Sequence, residues 1–297
     1  GATTKNASFL AADKTISGKV TKNSSTGAAV TDASVYAYKS GGGSGWGQTT
    51  TDSNGNYTLQ LPAGNWVVYI YPTDYSTATW TINNSWEPVD ISSSSKTKDF
   101  IVDTLSSTIT GSVKRSDNTT MGQWDAYISF SNSKNQWFSA NLSTSTGSDG
   151  SRTFSAKVTP STYSVSGSSS VSTYAFPTVS NFSVGDGGTY DLGTIELTKK
   201  TDTISGQVLD NLGGVVAGAS VSAWKNVGNY DYGWATTDAN GNYTLSDVGP
   251  GTYKVRESLQ TGWMQTTPNP SDITSASGSN VSGINFGNYQ YSTITGM

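Results

Sequence analysis

Short segments of this chain alternate apolar and polar residues, and Gly, Asn, Asp and Pro separate one segment from the next. The clearest of them place Trp66, Val68 and Ile70, and later Tyr253 and Val255, at every second position. This alternation predicts β-strands that turn one face to a core and the other to solvent. No segment carries apolar residues with a period of 3.6, so the pattern does not favour helices.

A five-residue signature recurs along the chain. The sequence Ile-Ser/Thr-Gly-x-Val begins at Ile16, Ile109 and Ile204, and Ile-Thr-Gly returns at Ile294. The recurrences lie roughly 90–95 residues apart, a period typical of whole tandem domains rather than of solenoid turns. The predicted fold is all-β, with three tandem antiparallel β-sandwiches. Their expected boundaries are 15–105, 106–200 (a divergent copy) and 201–290, flanked by an N-terminal strand in 1–14 and a further repeat or C-terminal strand in 291–297.

Each repeat continues with a second strand and a turn. The second strands are predicted at 33–38, 125–130 and 219–224. In the first and third repeats the sequence Thr-Thr-Asp-x-Asn-Gly-Asn-Tyr follows, and its Asn54-Gly55 and Asn240-Gly241 pairs predict tight hairpin turns. A proline and then an aromatic residue open the next strand, at Pro62, Pro160 and Pro250.

These motifs together resemble the carboxypeptidase regulatory-like domain and the related B-repeats of Gram-positive collagen adhesins. The shared pattern is G-x-V, A-x-V, T-D-x-N-G-N-Y and P-G-x-Y, which is well kept in the first and third repeats and weak in the second. The resemblance implies Ig-like or prealbumin-like sandwiches. It also implies a non-catalytic spacer, stalk or accessory domain at the cell surface or in the extracellular medium.

The composition excludes several kinds of chemistry. The chain contains no Cys and no His, which removes disulfides, thiol catalysis, the Ser-His-Asp arrangement and the commonest zinc ligands. A net charge of −4 without clustered basic residues argues against a nucleic-acid partner. No run of 18 apolar residues is present, so no membrane span is predicted. We therefore expect no enzyme activity, no cofactor and no metal.

The adhesin resemblance raises the question of an internal Lys-Asn isopeptide bond formed beside a Glu. Glu257 occupies the Glu position of the third repeat, and Asn285 or Asn288 lies where the Asn belongs, but Gln207 replaces the Lys. The first repeat has Lys19 and lacks the Glu. No repeat keeps the complete set, so we expect no isopeptide bond and interpret Glu257 as an ordinary exposed residue.

Two turns resemble the first half of a calcium loop. Asp52 and Asp238 each begin an Asp-x-Asn-Gly-Asn sequence. Calcium sites normally add a bidentate carboxylate downstream, and none follows in either place. The favoured interpretation is that each Asp accepts hydrogen bonds from its own turn.

One tryptophan in each repeat follows the second strand: Trp46, Trp137 and Trp234. An indole at such a position can stack on a sugar ring, which is the basis of an alternative function in carbohydrate binding. The favoured interpretation is structural, with Trp46 and Trp234 covering an open sandwich edge or packing against the adjoining domain.

Asn-x-Ser/Thr sequences are slightly more frequent than chance predicts and are compatible with a glycosylated surface protein. The candidate sites are Asn6, Asn23, Asn83, Asn118, Asn141, Asn181 and Asn280.

The ends of the chain suggest assembly. The apolar segment formed by Ala7, Ser8, Phe9, Leu10 and Ala11 precedes the first signature, just as short closing strands precede the second and third. At the other end, Tyr291 and Ile294 begin a repeat that the sequence does not complete. An unpaired strand invites the edge of another sheet.

We therefore expect a non-catalytic extracellular structural protein, a component of a filament, surface layer or stalk, that assembles head-to-tail by strand addition. Its predicted partners are copies of itself or adjacent repeats of a longer chain, with cell-surface glycans as further candidates. The alternative is a set of carbohydrate-binding accessory domains in a secreted, polysaccharide-active protein.

Overall fold

A computed structural model describes residues 11–41, 45–82, 88–225, 231–276 and 278–292. Within these ranges the chain forms 25 β-strands and no helix. The prediction of an all-β fold is confirmed. The strands build three successive sandwiches, each with a separate hydrophobic core.

The first sandwich consists of two layers that enclose Trp66, Trp80 and Ile91. One sheet has the order β4-β1-β9-β6, with β8 also paired to β1, and the other has the order β3-β2-β5-β7. The strands are β1 (Lys14–Lys22), β2 (Ala33–Lys39), β3 (Trp46–Thr50), β4 (Asn56–Leu61), β5 (Asn65–Pro72), β6 (Trp80–Thr81), β7 (Pro88–Asp90), β8 (Lys96–Thr97) and β9 (Phe100–Thr104).

The second sandwich is a single folded sheet of eight strands around Phe130, Phe154 and Tyr163. Its order is β15-β17-β10-β13-β12-β11-β14-β16, and β12 links the layers because it pairs with both β11 and β13. The strands are β10 (Ser107–Arg115), β11 (Ala126–Asn132), β12 (Trp137–Leu142), β13 (Arg152–Val158), β14 (Ser161–Ser169), β15 (Tyr174–Ala175), β16 (Phe182–Val184) and β17 (Thr189–Lys199).

The third sandwich repeats the two-layer plan of the first. Its sheets have the orders β21-β18-β25-β23 and β20-β19-β22-β24. Tyr253, Val255 and Phe286 are buried between them. The strands are β18 (Asp202–Asp210), β19 (Ser220–Lys225), β20 (Tyr232–Thr236), β21 (Asn242–Val248), β22 (Gly251–Ser258), β23 (Trp263–Gln265), β24 (Ile273–Ser275) and β25 (Phe286–Gln290).

The first strand of each sandwich has a parallel neighbour at the end of the same sandwich, which the sequence did not predict. The first strand pairs in parallel with the closing strand, as β1 with β9, β10 with β17 and β18 with β25. Parallel neighbours run in the same direction, so the chain enters each sandwich at one end and leaves it at the other. The connections between sandwiches are short, because β9 ends at Thr104 and β10 starts at Ser107, while β17 ends at Lys199 and β18 starts at Asp202.

The prediction that the Asn-Gly pairs close hairpins is wrong. β3 pairs with β2 in one sheet, whereas β4 pairs with β1 in the other, so the turn at 52–55 carries the chain from one layer to the next. Gly55 has the positive φ of 78° that the pattern requires, and Gly241 has 72° at the matching turn. The sequence identified the local conformation, but it could not specify which strands the turn connects.

Candidate functional site: exposed aromatic surfaces and domain junctions

The signature Gly and the Tyr of the Asn-Gly-Asn-Tyr motif meet at one backbone carbonyl. A Cβ on Gly18 would lie 1.9 Å from the Lys98 oxygen, and the Tyr57 hydroxyl donates to that same oxygen at 2.6 Å. The third sandwich repeats this geometry around the carbonyl of Ile284. A Cβ on Gly206 would lie 1.9 Å from its oxygen, and the Tyr243 hydroxyl donates to that oxygen at 2.6 Å. The motif therefore holds the residues just before the closing strand, β9 or β25, against the first strand of the same sandwich.

The second sandwich lacks this arrangement. Gly111 is paired in register with Phe154, which has no hydroxyl to donate. The parallel pairing of β10 with β17 is irregular at this point, between Thr110 and Ser112. The second repeat, which keeps the motif only weakly, thus lacks the hydroxyl-to-carbonyl hydrogen bond of the other two.

The expectation that Trp46 and Trp234 could pack against the adjoining domain is wrong, because both indoles are exposed. Trp46 is 73% exposed, Trp137 67% and Trp234 65%. All three lie on the third strand of their sandwiches, on the face that points away from the core. Because they are exposed on the outer face, these indoles are available to a ligand or a partner.

Five tyrosines form a continuous surface on the outer face of the first sandwich, which we call the tyrosine track: Tyr36, Tyr38, Tyr69, Tyr71 and Tyr75. Tyr36 stacks on Tyr69 with ring centroids 5.5 Å apart and an interplanar angle of 15°. Further contacts of 5.5–6.3 Å link the remaining rings into one chain. The track is a consequence of alternation, because both tyrosines of each Tyr-x-Tyr pair in β2 and β5 fall on the outward face of the sheet.

One end of the tyrosine track opens into a groove between the first and second sandwiches, which we call the aromatic groove. The groove has a volume of about 500 Å³. Tyr71, Tyr75 and Trp80 line it from the first sandwich, and Trp137 and Phe138 line it from the second. Aromatic side chains from two sandwiches thus face one cavity.

A polar network joins the first and second sandwiches near the groove. Asp103 at the end of β9 accepts hydrogen bonds from the Lys134 ammonium at 2.9 Å and from the Gln136 amide at 2.8 Å. The backbone N–H of Leu105, in the connection itself, donates to the Thr79 carbonyl. These bonds hold the short connection against both sandwiches.

The junction between the second and third sandwiches is built on a buried ion pair. Lys200 lies in the connection, and its ammonium contacts the Asp231 carboxylate at 2.8 Å, with the two side chains 7% and 12% exposed. The Lys200 N–H donates to the Thr173 carbonyl of the second sandwich. Asp231 also accepts a hydrogen bond of 2.6 Å from the Tyr253 hydroxyl of the third. A single residue thereby links both sandwiches.

The interpretation of Glu257 as an ordinary exposed residue is wrong. Its carboxylate lies between the layers of the third sandwich and accepts a hydrogen bond of 2.7 Å from the amide of buried Asn288. Glu257 Oε2 and Asn288 Oδ1 are buried without a hydrogen-bond partner. The Gln207 amide, which stands where the isopeptide Lys would belong, donates to the Asn240 carbonyl instead.

Replacement of Glu257 by Gln should stabilise the third sandwich at neutral pH. Burial raises the pKa of Glu257 above its ordinary value of 4.5, although the bond from Asn288 opposes the shift. A raised folded-state pKa contributes stability that is present below pH 4.5 and lost as the pH rises through that pKa. Gln stays neutral, and its amide can donate a hydrogen bond to Asn288 Oδ1. Such a hydrogen bond stabilises the folded state by about 1 kcal/mol. Thermal melts from pH 4 to 8 should show a smaller fall in stability for Glu257→Gln than for the parent chain, and parallel curves would contradict this assignment.

The prediction that Asp52 and Asp238 cap their own turns is confirmed. Asp52 Oδ1 accepts hydrogen bonds from the N–H groups of Asn54 and Asn56, both at 2.8 Å. These bonds, with that from Asn56 the strongest, lower the pKa of Asp52. Asp238 accepts the equivalent pair from Asn240 and Asn242.

The predicted assembly and glycosylation sites are only partly within the described residues. Ala7, Ser8, Phe9, Leu10 and Ile294 lie outside them, as do Asn6 and Asn83. Ala11 is exposed just before β1, and Tyr291 follows β25 with its N–H bonded to the Gly262 carbonyl. The remaining candidate glycosylation sites are exposed and stay predictions: Asn23, Asn118, Asn141, Asn181 and Asn280.

The described part of the chain holds no group of three or more His, Cys, Asp or Glu side chains placed to bind a metal ion. Within the same residues, no helix is long and apolar enough to cross a membrane. The structural features that remain as candidate sites are the exposed aromatic surfaces and the two junctions.

The tandem sandwiches agree with a match to a known family. The model of the carboxypeptidase regulatory-like domain matches residues 15–91 and 203–286, more than half of the chain. The chain therefore belongs to this family. The matched segments fall in the first and third sandwiches, as the sequence motifs predicted. No curated protein matches this sequence.

Solved structures of other proteins, among them two streptococcal pilins, show a distant similarity. The Bacillus anthracis TIE protein is 12% identical with a TM-score of 0.28, and 92% of this chain spans 50% of that protein. A streptococcal ancillary pilin is 12% identical with a TM-score of 0.35, covering 92% of this chain and 98% of the pilin. GBS52, the minor pilin of Streptococcus agalactiae, is 13% identical with a TM-score of 0.39, covering 63% and 98%. Similarity at this level does not identify a function.

Proposed function

We propose that this chain is a non-catalytic structural component of a cell surface, which spans distance as part of a stalk, filament or surface layer. The observation that carries the proposal is the parallel pairing of the first and closing strands in all three sandwiches. This pairing makes each sandwich a spacer with its entry and exit at opposite ends. A strand of nine residues, such as β10, contributes roughly 30 Å of length.

The junctions support the same role. Flexible linkers would let successive sandwiches fold back on one another, whereas connections at 105–106 and 200–201 are too short for that freedom. Asp103 and Lys200 then tie each connection to both of its neighbours. A chain built in this way keeps its direction from one sandwich to the next.

For assembly, we propose that residues 7–11 of one copy add as a strand to the third sandwich of the next copy. In the described part of the chain, β20 and β24 are the outer strands of one sheet of this sandwich, and β21 and β23 of the other. An outer strand has unpaired backbone groups that an added strand satisfies. Phe9 is the side chain that would enter the acceptor core.

Deletion of residues 1–14 tests this proposal. The truncated chain should keep three folded sandwiches but lose the concentration-dependent, end-to-end association that sedimentation and electron microscopy would detect in the parent. Phe9→Ser should act like the deletion, whereas Phe9→Leu, which keeps an apolar side chain, should associate as the parent does. Normal polymers from the truncated chain would refute strand addition.

A further inference from the structure

We infer that the tyrosine track and the aromatic groove together form an extended binding site for an uncharged polysaccharide chain. This is a binding function in addition to the proposed spacer role, and it belongs to the first sandwich and its border with the second. Of the three tryptophans noted in the sequence, Trp46 and Trp137 lie at the edges of this surface, and Trp234 lies on the third sandwich. Its centre consists of tyrosines that the sequence analysis did not single out.

The track has the shape of an extended ligand. Ring contacts run from Tyr38 to Tyr69 at 6.0 Å, from Tyr69 to Tyr71 at 5.5 Å and from Tyr71 to Tyr75 at 6.1 Å. The last two rings also line the groove, where Trp137 of the second sandwich faces them. An elongated row of aromatic rings suits a linear polymer better than a rounded protein interface, in which an apolar centre is surrounded by a polar rim.

The rings are held in place before any ligand arrives. Tyr36 and Tyr69 are stacked at an interplanar angle of 15°, and the Gln48 amide donates to the Tyr36 hydroxyl at 3.3 Å. The pairing register of the strands places Tyr36 of β2 directly opposite Gln48 of β3 on one side and Tyr69 of β5 on the other. A rigid platform loses little conformational entropy on binding, so each stacked ring contributes more of its contact energy to affinity.

The absence of charged side chains along the track indicates an uncharged polymer. The outward side chains of β2, β3 and the adjoining part of β5 carry no charge: Ser34, Tyr36, Tyr38, Trp46, Gln48, Thr50, Val67, Tyr69 and Tyr71. The C–H groups on the face of a sugar ring pack on aromatic rings, while phenol, amide and serine groups exchange hydrogen bonds with sugar hydroxyls. A polyanion would find no cationic row along the track. Lys157 is a cation in the groove at one end of it.

Affinity electrophoresis of the full chain in gels that contain hydroxyethyl cellulose, laminarin, mannan or xylan tests the inference, with alginate as the charged comparison. At least one neutral polymer should retard the parent chain, and alginate should not. The double variant Tyr36→Thr/Tyr69→Thr should raise the dissociation constant roughly tenfold or more, because it removes two rings that contact the sugar. Thr is chosen as the replacement because it fits well in a strand. Tyr75→Ala/Trp137→Ala, at strongly exposed positions, gives a second measurement if the first variant does not fold.

Trp234→Thr is the matched control, since it removes an exposed indole from the third sandwich and leaves the track untouched. This variant should bind the polymer as the parent does. The inference fails if no neutral polymer retards the chain, or if the control loses as much affinity as the track variants. It also fails if the track variants abolish self-association instead, since the surface would then be a contact between copies.

Discussion

Replacement of Gly206 by Ala should unfold the third sandwich at temperatures where the parent chain is folded. The added Cβ would lie 1.9 Å from the Ile284 carbonyl oxygen, a backbone atom that cannot rotate away. The same carbonyl accepts the Tyr243 hydroxyl, so any shift of the segment also breaks that bond. Over-packing usually costs 1–3 kcal/mol, and we expect roughly 3 kcal/mol or more against a fixed carbonyl. Scanning calorimetry should show one transition moved to lower temperature.

Gly233→Ala is the control for this prediction. Gly233 lies in β20 of the same sandwich, and nothing is within 4 Å of the position its Cβ would take. The control should melt within about 0.5 kcal/mol of the parent, as exposed substitutions usually do. Equal stability of Gly206→Ala and Gly233→Ala would show that the signature glycine does not make room for the closing segment.

Replacement of Asp231 by Ala should destabilise the junction between the second and third sandwiches. Lys200 would keep its buried ammonium without the carboxylate, and Tyr253 would lose an acceptor. Removal of one partner from a buried pair costs about 3–5 kcal/mol, most of it for the charge left behind. Calorimetry should show a lower melting temperature, and limited proteolysis should show faster cleavage near Lys200.

Glu196→Ala provides the comparison for an exposed pair. Glu196 contacts Lys114 at 3.2 Å, but the side chains are 51% and 29% exposed. Exposed pairs contribute between zero and about 1 kcal/mol. If both substitutions have the same small effect, the Lys200–Asp231 pair does not hold the junction.

The sequence predicted the features that depend on local chemistry. Alternation located the strands of the core, and Trp66, Val68 and Ile70 are all buried. The period of the signature indicated three units, and the aspartate of each Asn-Gly turn caps its own backbone. These properties are set by neighbours along the chain, which a sequence pattern records directly.

The features that the sequence did not predict depend on pairing at long range. Whether the closing strand lies parallel to the first is decided across some 80 residues, and no residue type marks it. Glu257 was expected to be exposed because the isopeptide set is incomplete, yet alternation within β22 turns it inward between the layers. The tyrosine track did have a sequence signal, the Tyr-x-Tyr pairs at 36–38 and 69–71, but only the register of β2 and β5 shows that the pairs are adjacent.

Small-angle X-ray scattering of the monomeric chain tests the central claim, that each sandwich passes the chain from one end to the other. Three sandwiches of roughly 30 Å placed end to end predict a maximum dimension near 100 Å and a radius of gyration of about 30 Å. A compact arrangement of the 297 residues would give a radius of gyration of about 19 Å, and that result would contradict the account.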